Sequence, residues 1–325
     1  MERVGVGFNP NITPQEAYGY AHEAELNGYD SFWVHEQPFI RDAITLLCSG
    51  ILATNRIKLG SGCISVVTRH PLLAATTFVS LNNMSHGRAI MGIGLGGFPW
   101  LPRIGINVFP VTQTRPARRI REYLTIVRAL LNGETITLQG EFYKVNEIKL
   151  DTMPAAKPKL YVAAFGSRLL QVATEYADGV IVSPALMTPE ITRQKVQSLN
   201  SNALDIASYI LTTVSEDSEA AMQIMKSYYF FIYQVAEVIP PEVLEPYDVS
   251  DSALSGVKKA WRKNDLPAAA RSMPDDIVEA LTLTGNSDHC LDKLREYRKA
   301  GVKLPIIMPI GDVKASIVAF RSALK

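Results

Sequence analysis

The sequence is short of cysteine and has no excess of either charge. Its 325 residues include three cysteines, Cys48, Cys63 and Cys290, and no two of them form a C-x-x-C pair. This spacing argues against a disulfide framework or a zinc ribbon, and it predicts a reduced, cytoplasmic protein. The net charge of +1 gives no general reason to expect binding to nucleic acid or to a membrane surface.

Long apolar runs and repeats are also lacking. No run reaches the length of a transmembrane helix, and the N-terminal MERVGVGFNPN has too few apolar residues for a signal peptide. The chain can bury a large hydrophobic core, because 47% of its residues are hydrophobic. That length and composition fit either two domains or a single α/β barrel.

The stretch from Ile57 to Phe98 predicts a β-α-β unit. Ile57–Ser61 and Arg88–Leu95 are apolar runs that lead into glycines, and between them Pro71–Met84 has helical length with proline at its first position. Glycine lets a backbone approach another group closely or adopt angles that other residues avoid. The unit therefore predicts a ligand surface at the carboxyl ends of its strands.

Strands and helices alternate along the rest of the chain. Thr13 and Glu16 form a capping-box pattern before the first helix, and 135–150 reads as a small hairpin. Eight strands are predicted, at Val4–Phe8, Ser31–Val34, Ile57–Ser61, Arg88–Leu95, Leu160–Ala164, Val180–Ser183, Ile206–Val214 and Leu304–Ile310. This count favours a single-domain (β/α)8 TIM barrel over residues 1–325, with 218–286 as a helical insertion after strand seven. An open, doubly wound sheet is the alternative.

In such a barrel, the residues that follow the strands carry the chemistry. Most of them are small, polar or charged here, and the candidates are Asn9, Asn11, His35, Glu36, Gln37, Arg41, Cys63, Ser65, Arg69, His70, Gly94–Phe98, Gly166–Arg168, Ser183, Thr213, Ser215, Gly311 and Asp312.

Two motifs in this set resemble known binding motifs, but each lacks a feature that the motif requires. Gly92–Gly97 matches G-x-G-x-x-G, but Pro99 and Pro102 follow where a dinucleotide-binding helix would begin. His35-Glu36 resembles the start of a zinc-protease motif, yet the second histidine would fall at Phe39. We therefore predict neither a Rossmann site nor a metal site.

Gly166-Ser167 ends a strand and begins a helix, with Ser167 as the expected N-cap and Arg168 beside it. Free N–H groups at a helix start bind anions, so the pattern predicts a phosphate site, with ordinary capping as the alternative. The aromatic run Tyr228–Phe231 is interpreted as core of the insertion.

Short motifs that span nearly the whole chain follow one another in the order known from one protein family. These are Trp33, Arg41-Asp42, Gly60–Gly62, Thr68–Pro71, Gly87-Arg88, Gly92–Gly94, Ile120–Glu122, Gly133-Glu134, Gly166, Ala177–Gly179, Pro240-Pro241 and Pro309–Gly311. Together they resemble the luciferase-like superfamily, and within it the coenzyme F420-dependent branch that includes methylenetetrahydromethanopterin reductases.

The resemblance implies a (β/α)8 barrel that binds the deazaflavin F420 and is a homodimer or homotetramer. It implies a non-prolyl cis peptide at Gly62-Cys63 or Cys63-Ile64 that supports the ring, and a cofactor phosphate at Gly166-Ser167. The implied cofactor-binding residues are Gly62, Cys63, Ile64, Gly94, Gly166, Ser167, Arg168 and Ser183.

The chain also departs from these reductases. It has Gly7 where they carry an acidic residue on strand one, Gln37 where they carry a histidine, and no charge in Gly94–Phe98. The cofactor cradle is thus expected to be retained and the substrate pocket to differ.

The leading hypothesis is a hydride transfer between F420 and an organic substrate, with methylenetetrahydromethanopterin as the first guess. His35, Glu36 and Gln37 are the predicted catalytic residues, and His35 or Glu36 is the predicted general acid or base. The alternatives are an FMN-dependent monooxygenase or reductase and a barrel that binds ligand without catalysis. Trp33 and Trp100 are expected near the mouth.

Overall fold

The computed structural model describes residues 2–37, 39–96, 101–106, 115–154, 156–182, 186–199, 203–240, 243–244 and 253–324. The strands of this part of the chain are β1 (Gly5–Phe8), β2 (Ser31–Val34), β3 (Lys58–Ser61), β4 (Ile64–Ser65), β5 (Ala89–Gly94), β6 (Ile136–Gln139), β7 (Lys144–Ile148), β8 (Lys159–Ala163), β9 (Gly179–Ile181), β10 (Asp205–Val214), β11 (Leu283–Gly285) and β12 (Leu304–Pro309).

The same residues form α-helices that alternate with the strands. They are α1 (Pro14–Leu26), α2 (Ala43–Leu52), α3 (Pro71–Met84), α4 (Pro116–Leu131), α5 (Ser167–Tyr176), α6 (Pro189–Ser198), α7 (Ser218–Ser227), α8 (Tyr229–Tyr233), α9 (Ser255–Arg262), α10 (Leu266–Arg271), α11 (Asp275–Leu281), α12 (Ser287–Lys299) and α13 (Val313–Ala319). Short 3₁₀ turns cover Leu101–Ile104 and Phe320–Leu324, and a π-helix covers Gln234–Val238. No described helix is long and apolar enough to span a bilayer.

Eight parallel strands close into a barrel in the order β1, β2, β3, β5, β8, β9, β10, β12. Gly5 of β1 pairs with Ser31 on one side and with Ile306 on the other, and Ile206 of β10 pairs with Val180 of β9. The closed circuit confirms the predicted (β/α)8 barrel and excludes the open sheet. Each barrel strand falls on one of the eight predicted strands.

The barrel has two apolar layers because side chains alternate along each strand. Phe32 packs outward into the cluster between strands and helices, whereas Trp33 points into the barrel. Trp33 is fully buried, donates from Nε1 to Ser31 Oγ at 2.8 Å, and packs against Tyr161 and Tyr209. Its expected place near the mouth is therefore wrong, since it fills the barrel interior. Trp100 lies outside the described residues.

Local signals are confirmed at the first helix and at the hairpin. Thr13 N–H donates to Glu16 Oε2 at 2.7 Å, and Glu16 N–H donates to Thr13 Oγ1 at 3.2 Å, which completes the capping box. β6 and β7 pair in antiparallel fashion. Glu122 of α4 accepts the N–H groups of Glu141 and Phe142 in the turn between them, so the hairpin is tied to α4.

The region predicted as a helical insertion, 218–286, contains α7 to α11. It also contains β11, which was not predicted; three residues are too few to show a strand pattern. β10 has ten residues, and Thr212 near its end pairs with Pro309 of β12 on one side and Leu283 of β11 on the other. The inner apolar cluster continues from the barrel interior into these helices. That the chain is one domain with this insertion stays a prediction.

Candidate active site

A cavity of about 1960 Å³ opens at the carboxyl ends of the barrel strands. It is about twice the upper end of common ligand pockets, ~1,000 Å³, and so offers room for a cofactor and a substrate together. The predicted site residues that line it are His35, Glu36, Gln37, Gly62, Cys63, Ile64, Gly94, Gly166, Ser167 and Arg168.

The other candidates divide into three groups. Asn9, Ser65, Leu95 and Gly96 also line the cavity, whereas Asn11, Arg41, Arg69, His70, Thr213, Ser215, Gly311 and Asp312 are not among its lining residues. Ser183, Gly97 and Phe98 lie outside the described residues. The side chains of the described part form no cluster of three or more His, Cys, Asp or Glu suited to a metal ion.

A backbone bulge between β3 and β4 forms one wall of the cavity. Leu59 and Gly60 pair with β5, the chain leaves the ladder at Gly62 and Cys63, and pairing resumes between Ile64 and Ile93. The Gly62-Cys63 peptide bond is cis, at the first of the two expected positions. Burial raises the pKa of the Cys63 thiol to about 12, so this thiol stays protonated and is a poor nucleophile.

Tyr209 explains why two glycines stand beside it. A Cβ on Gly62 would lie 1.7 Å from Tyr209 Oη, and a Cβ on Gly7 would lie 3.0 Å from its ring. Tyr209 thus fills the space that an acidic side chain at position 7 would need. The cavity therefore has an uncharged phenol beside Gly7, where the sequence differs from the reductases that it resembles. Strand alternation in β10 is the signal that could have placed Tyr209 in the site.

The imidazole of His35 packs on Tyr209, with ring centroids 4.5 Å apart. Its Nε2 is buried and has no hydrogen-bond partner among the described residues. Burial lowers the pKa of His35 to about 4, so the ring is uncharged at neutral pH. The ring can therefore exchange hydrogen bonds with a bound molecule but does not carry a positive charge to it.

Glu36 is held on both carboxylate oxygens. Arg69 Nε donates to Oε1 at 2.6 Å, and the backbone N–H of Ser65 donates to Oε2 at 2.9 Å. Arg69 also donates to Asp42, the N-cap of α2. These contacts favour a positioning role, in which Glu36 fixes the segment after the bulge. Its role as acid or base stays a prediction, as does that of Gln37.

The N-cap of helix α5 lies one residue earlier than the sequence predicted. Gly166, not Ser167, is the N-cap, and no side chain caps the helix. Leu169 N–H donates to Gly166 O at 3.0 Å, so the N–H groups of Ser167 and Arg168 are the ones that remain available to a ligand. A Cβ on Gly166 would meet no atom within 4 Å. The exposed Arg168 lies next to this open helix start, so the geometry fits a phosphate.

The interpretation of Tyr228–Phe231 as insertion core is correct only in part. Phe231 is buried, but Tyr229 and Phe230 line the cavity together with Tyr233 and Gln234. Gln234 and its neighbours were missed, because the aromatic run reads equally well as core and a π-helix leaves no pattern in one sequence.

Residues 2–304 match the family model described as luciferase-like monooxygenase. In addition, the 5,10-methylenetetrahydromethanopterin reductase of Archaeoglobus fulgidus is 30% identical over 328 residues, which cover 97% of this chain and 96% of the relative. The chain belongs to the luciferase-like monooxygenase family. This membership confirms the resemblance, and since such relatives are oxidoreductases, the prediction of an enzyme of this class is confirmed.

Solved structures agree on the fold of this family member. The coenzyme F420-dependent tetrahydromethanopterin reductase of Methanopyrus kandleri superposes with a TM-score of 0.89 at 24% identity, covering 98% of this chain and 97% of the other. The oxygenating constituent of 3,6-diketocamphane monooxygenase of Pseudomonas putida, in complex with FMN, has a TM-score of 0.72 at 16% identity, covering 100% and 98%.

Proposed function

We propose that this protein is a coenzyme F420-dependent oxidoreductase that transfers a hydride between the deazaflavin and an organic substrate. The observation that carries the proposal is that the bulge at Gly62-Cys63 and the uncapped start of α5 border one cavity. A planar ring can lie against a backbone without side chains, while its phosphate binds N–H groups at a helix start.

The described residues fit this cofactor as follows. Gly62, Cys63, Ile64 and Gly94 would contact the ring, and Gly166, Ser167 and Arg168 would bind the phosphate. Ser183, which lies outside the described residues, is proposed as a further cofactor-binding residue on the sequence alone. When bound, the deazaflavin supplies the two-electron hydride chemistry, and the protein supplies binding, orientation and exclusion of water. The uncharged His35 would hydrogen-bond the bound molecules, with Gln37 beside it, and Glu36 would hold this segment or move a proton.

The proposed substrate is methylenetetrahydromethanopterin or a related compound. Support comes from the Archaeoglobus fulgidus relative, whose match covers 97% of this chain. Because Tyr209 occupies the space at Gly7, the pocket floor differs from that of a reductase with an acidic residue there. We therefore expect a relative of the pterin rather than an unchanged specificity.

Two alternatives are kept. FMN also offers a planar tricycle and a phosphate, and the monooxygenase constituent that shares the fold was solved with FMN. The other alternative is a barrel that binds the cofactor without turnover, because the sequence has glycine and not an acidic residue at Gly7 and at Gly97.

A titration decides between the two cofactors. Purified protein is mixed with F420 or with FMN, and binding is followed through the absorption of the cofactor and through Trp261, whose ring lies 5.4 Å and 5.8 Å from those of Tyr229 and Tyr233. Tighter binding of F420 supports the proposal. Preference for FMN moves the protein to the monooxygenase alternative, and binding of neither overturns the phosphate site at α5.

We further propose a cytoplasmic homodimer or homotetramer. The three cysteines are free, as in a reducing compartment. On the outer face, Leu52 and Leu73 of α2 and α3 are exposed by 71% and 64%. Light scattering on the purified protein measures the oligomer, and a monomer at micromolar concentration would contradict this part of the proposal.

A further inference from the structure

Gln234 lines the cavity and carries a buried side-chain oxygen that has no partner among the described residues. Its side chain is 4% exposed, it lines the cavity, and Oε1 accepts no hydrogen bond from any described residue. An amide oxygen that has lost water and gained no donor costs free energy, so such an atom on a cavity-lining residue points to a donor on a bound ligand.

The backbone that carries Gln234 is itself unusual. Gln234–Val238 is a π-helix that follows α8 directly, and Ile239 N–H donates to Gln234 O at 2.9 Å across the wide turn. Gln234 and Val238, at its two ends, both line the cavity. Single π-helical turns are rare and are concentrated at functional sites.

The wall around Gln234 is aromatic and uncharged. Phe230, Tyr233, Val238 and Pro240 line the cavity beside it, and Tyr233 is backed by Trp261. The arginines among the described lining residues belong to other elements, namely the turn 101–104 and the N-terminal parts of α4 and α5: Arg103, Arg115, Arg118, Arg121 and Arg168. This wall therefore suits a planar, uncharged ring and not a phosphorylated or carboxylated group.

We propose that Gln234 is a specificity-determining residue whose Oε1 accepts a hydrogen bond from a ring N–H of a planar nitrogen heterocycle, the substrate of this site. The inference rests on the proposed function, because it assumes that the cofactor occupies the bulge and α5 and leaves the aromatic wall to the substrate. It adds a chemical requirement to that function: the substrate ring must carry an N–H donor.

The test compares a ring that carries N–H donors with the same ring methylated at those nitrogens. Lumazine has ring N–H groups, and 1,3-dimethyllumazine has methyl groups in their place. Dissociation constants of both are measured by ligand-observed NMR on the full-length protein, with and without saturating F420. Wild type should bind lumazine about tenfold or more tightly than the dimethyl ring, the effect of about one hydrogen bond in a desolvated site.

Three variants locate the effect. Gln234→Leu removes the acceptor at similar volume and should bring the two constants within about threefold of each other. Gln234→Glu keeps an acceptor oxygen and should retain the preference for lumazine. Gln223→Leu, at an exposed position of α7 in the same region, is the matched control and should behave as wild type.

Equal affinity of wild type for the two rings, no binding of lumazine, or an unchanged preference in Gln234→Leu would each overturn the inference. F420 binding to the same preparations is measured separately. If F420 binds and lumazine does not, the role of Gln234 fails and the cofactor proposal stands. If lumazine discrimination depends on Gln234 but F420 does not bind, the cofactor proposal fails alone.

Discussion

At the residue scale, the buried imidazole of His35 makes the free energy of unfolding depend on pH. Burial lowers its pKa from 6.5 to about 4, so between these values the unfolded chain binds more protons than the folded one. The free energy of unfolding should therefore fall as pH drops from about 6.5 to about 4. His35→Gln should abolish this part of the loss, up to about 3 kcal/mol.

Urea unfolding at several pH values in this range measures the difference. His86→Asn is the control, because His86 is exposed and its positive φ of 54° suits asparagine. This control should follow the wild-type pH dependence. If His35→Gln also follows it, the imidazole is not buried as the structure has it.

Gly62 is the residue whose replacement acts most directly on the bulge. A Cβ there would overlap Tyr209 Oη at 1.7 Å, so Gly62→Ala must displace a buried ring. We expect a loss of about 1–3 kcal/mol in the free energy of unfolding, as in other overpacked cores, and F420 affinity that is at least about tenfold weaker.

Thermal denaturation and cofactor titration of the same samples check this. Gly19→Ala provides the matched control, since a Cβ at Gly19 meets nothing within 4 Å and helix α1 should gain slightly from alanine. Adding Tyr209→Phe to Gly62→Ala should recover part of the lost affinity. Equal behaviour of the two glycine variants would refute the close approach.

At the scale of one element, a side chain that caps the uncapped start of α5 should stabilise the helix and weaken the binding of a phosphate there. Gly166→Asp places a carboxylate at the N-cap, where it should add a few tenths of a kcal/mol to helix stability. The same charge repels a phosphate at the first-turn N–H groups. The melting temperature should stay the same or rise while the dissociation constants of F420 and FMN increase at least about tenfold.

Asn286→Asp is the comparison, because Asn286 caps α12 by accepting from His289 N–H at 3.0 Å and is not among the cavity-lining residues. That variant should leave both dissociation constants unchanged. Unchanged cofactor affinity in Gly166→Asp would show that the phosphate binds elsewhere.

At the scale of the whole molecule, the amino ends of the strands are joined by an ionic network. Arg3 donates to Asp30 at 3.0 Å and to Asp205 at 2.7 Å, Lys58 donates to Asp30, and Tyr161 donates to Asp205. These contacts connect β2, β3, β8 and β10 opposite the active site. Burial alone would raise the pKa of Asp30, but hydrogen bonds and charges of Arg3 and Lys58 lower it overall.

The stabilisation from Asp30 is consequently present above the unfolded pKa of about 3.9 and is lost as pH falls through the lower folded value. Arg3→Met should reduce the free energy of unfolding at pH 7 by about 1–3 kcal/mol and flatten its decline in acid. Cofactor affinity should not change. Lys159→Met, which breaks an exposed pair at 3.9 Å, is the control and should cost less than about 1 kcal/mol.

Much of the barrel could be read from the sequence because its signals are local. Apolar runs of strand length, the capping box at Thr13 and Glu16, and Gly28 and Gly133 after their helices each depend on neighbouring residues alone. The candidate site followed from one topological fact, that the ends of parallel strands meet at one edge. This is why His35, Cys63, Gly94 and Gly166 could be expected at the cavity without coordinates, whereas Gly62 was implied by the resemblance to the family.

What the sequence by itself determined was therefore the order of the barrel strands and helices and the strand ends at which a site was expected. It favoured a closed barrel, but the closed circuit of strand pairs in the structure is what excluded the open sheet. Only the tertiary structure decided the environment of each group. Tyr209 is far from Gly7, Gly62 and His35 in the chain, yet it fills the space beside all three. The π-helix that turns Gln234 into the cavity depends on packing against distant residues as well. Burial and missing partners arise from such long-range contacts, which no local pattern records.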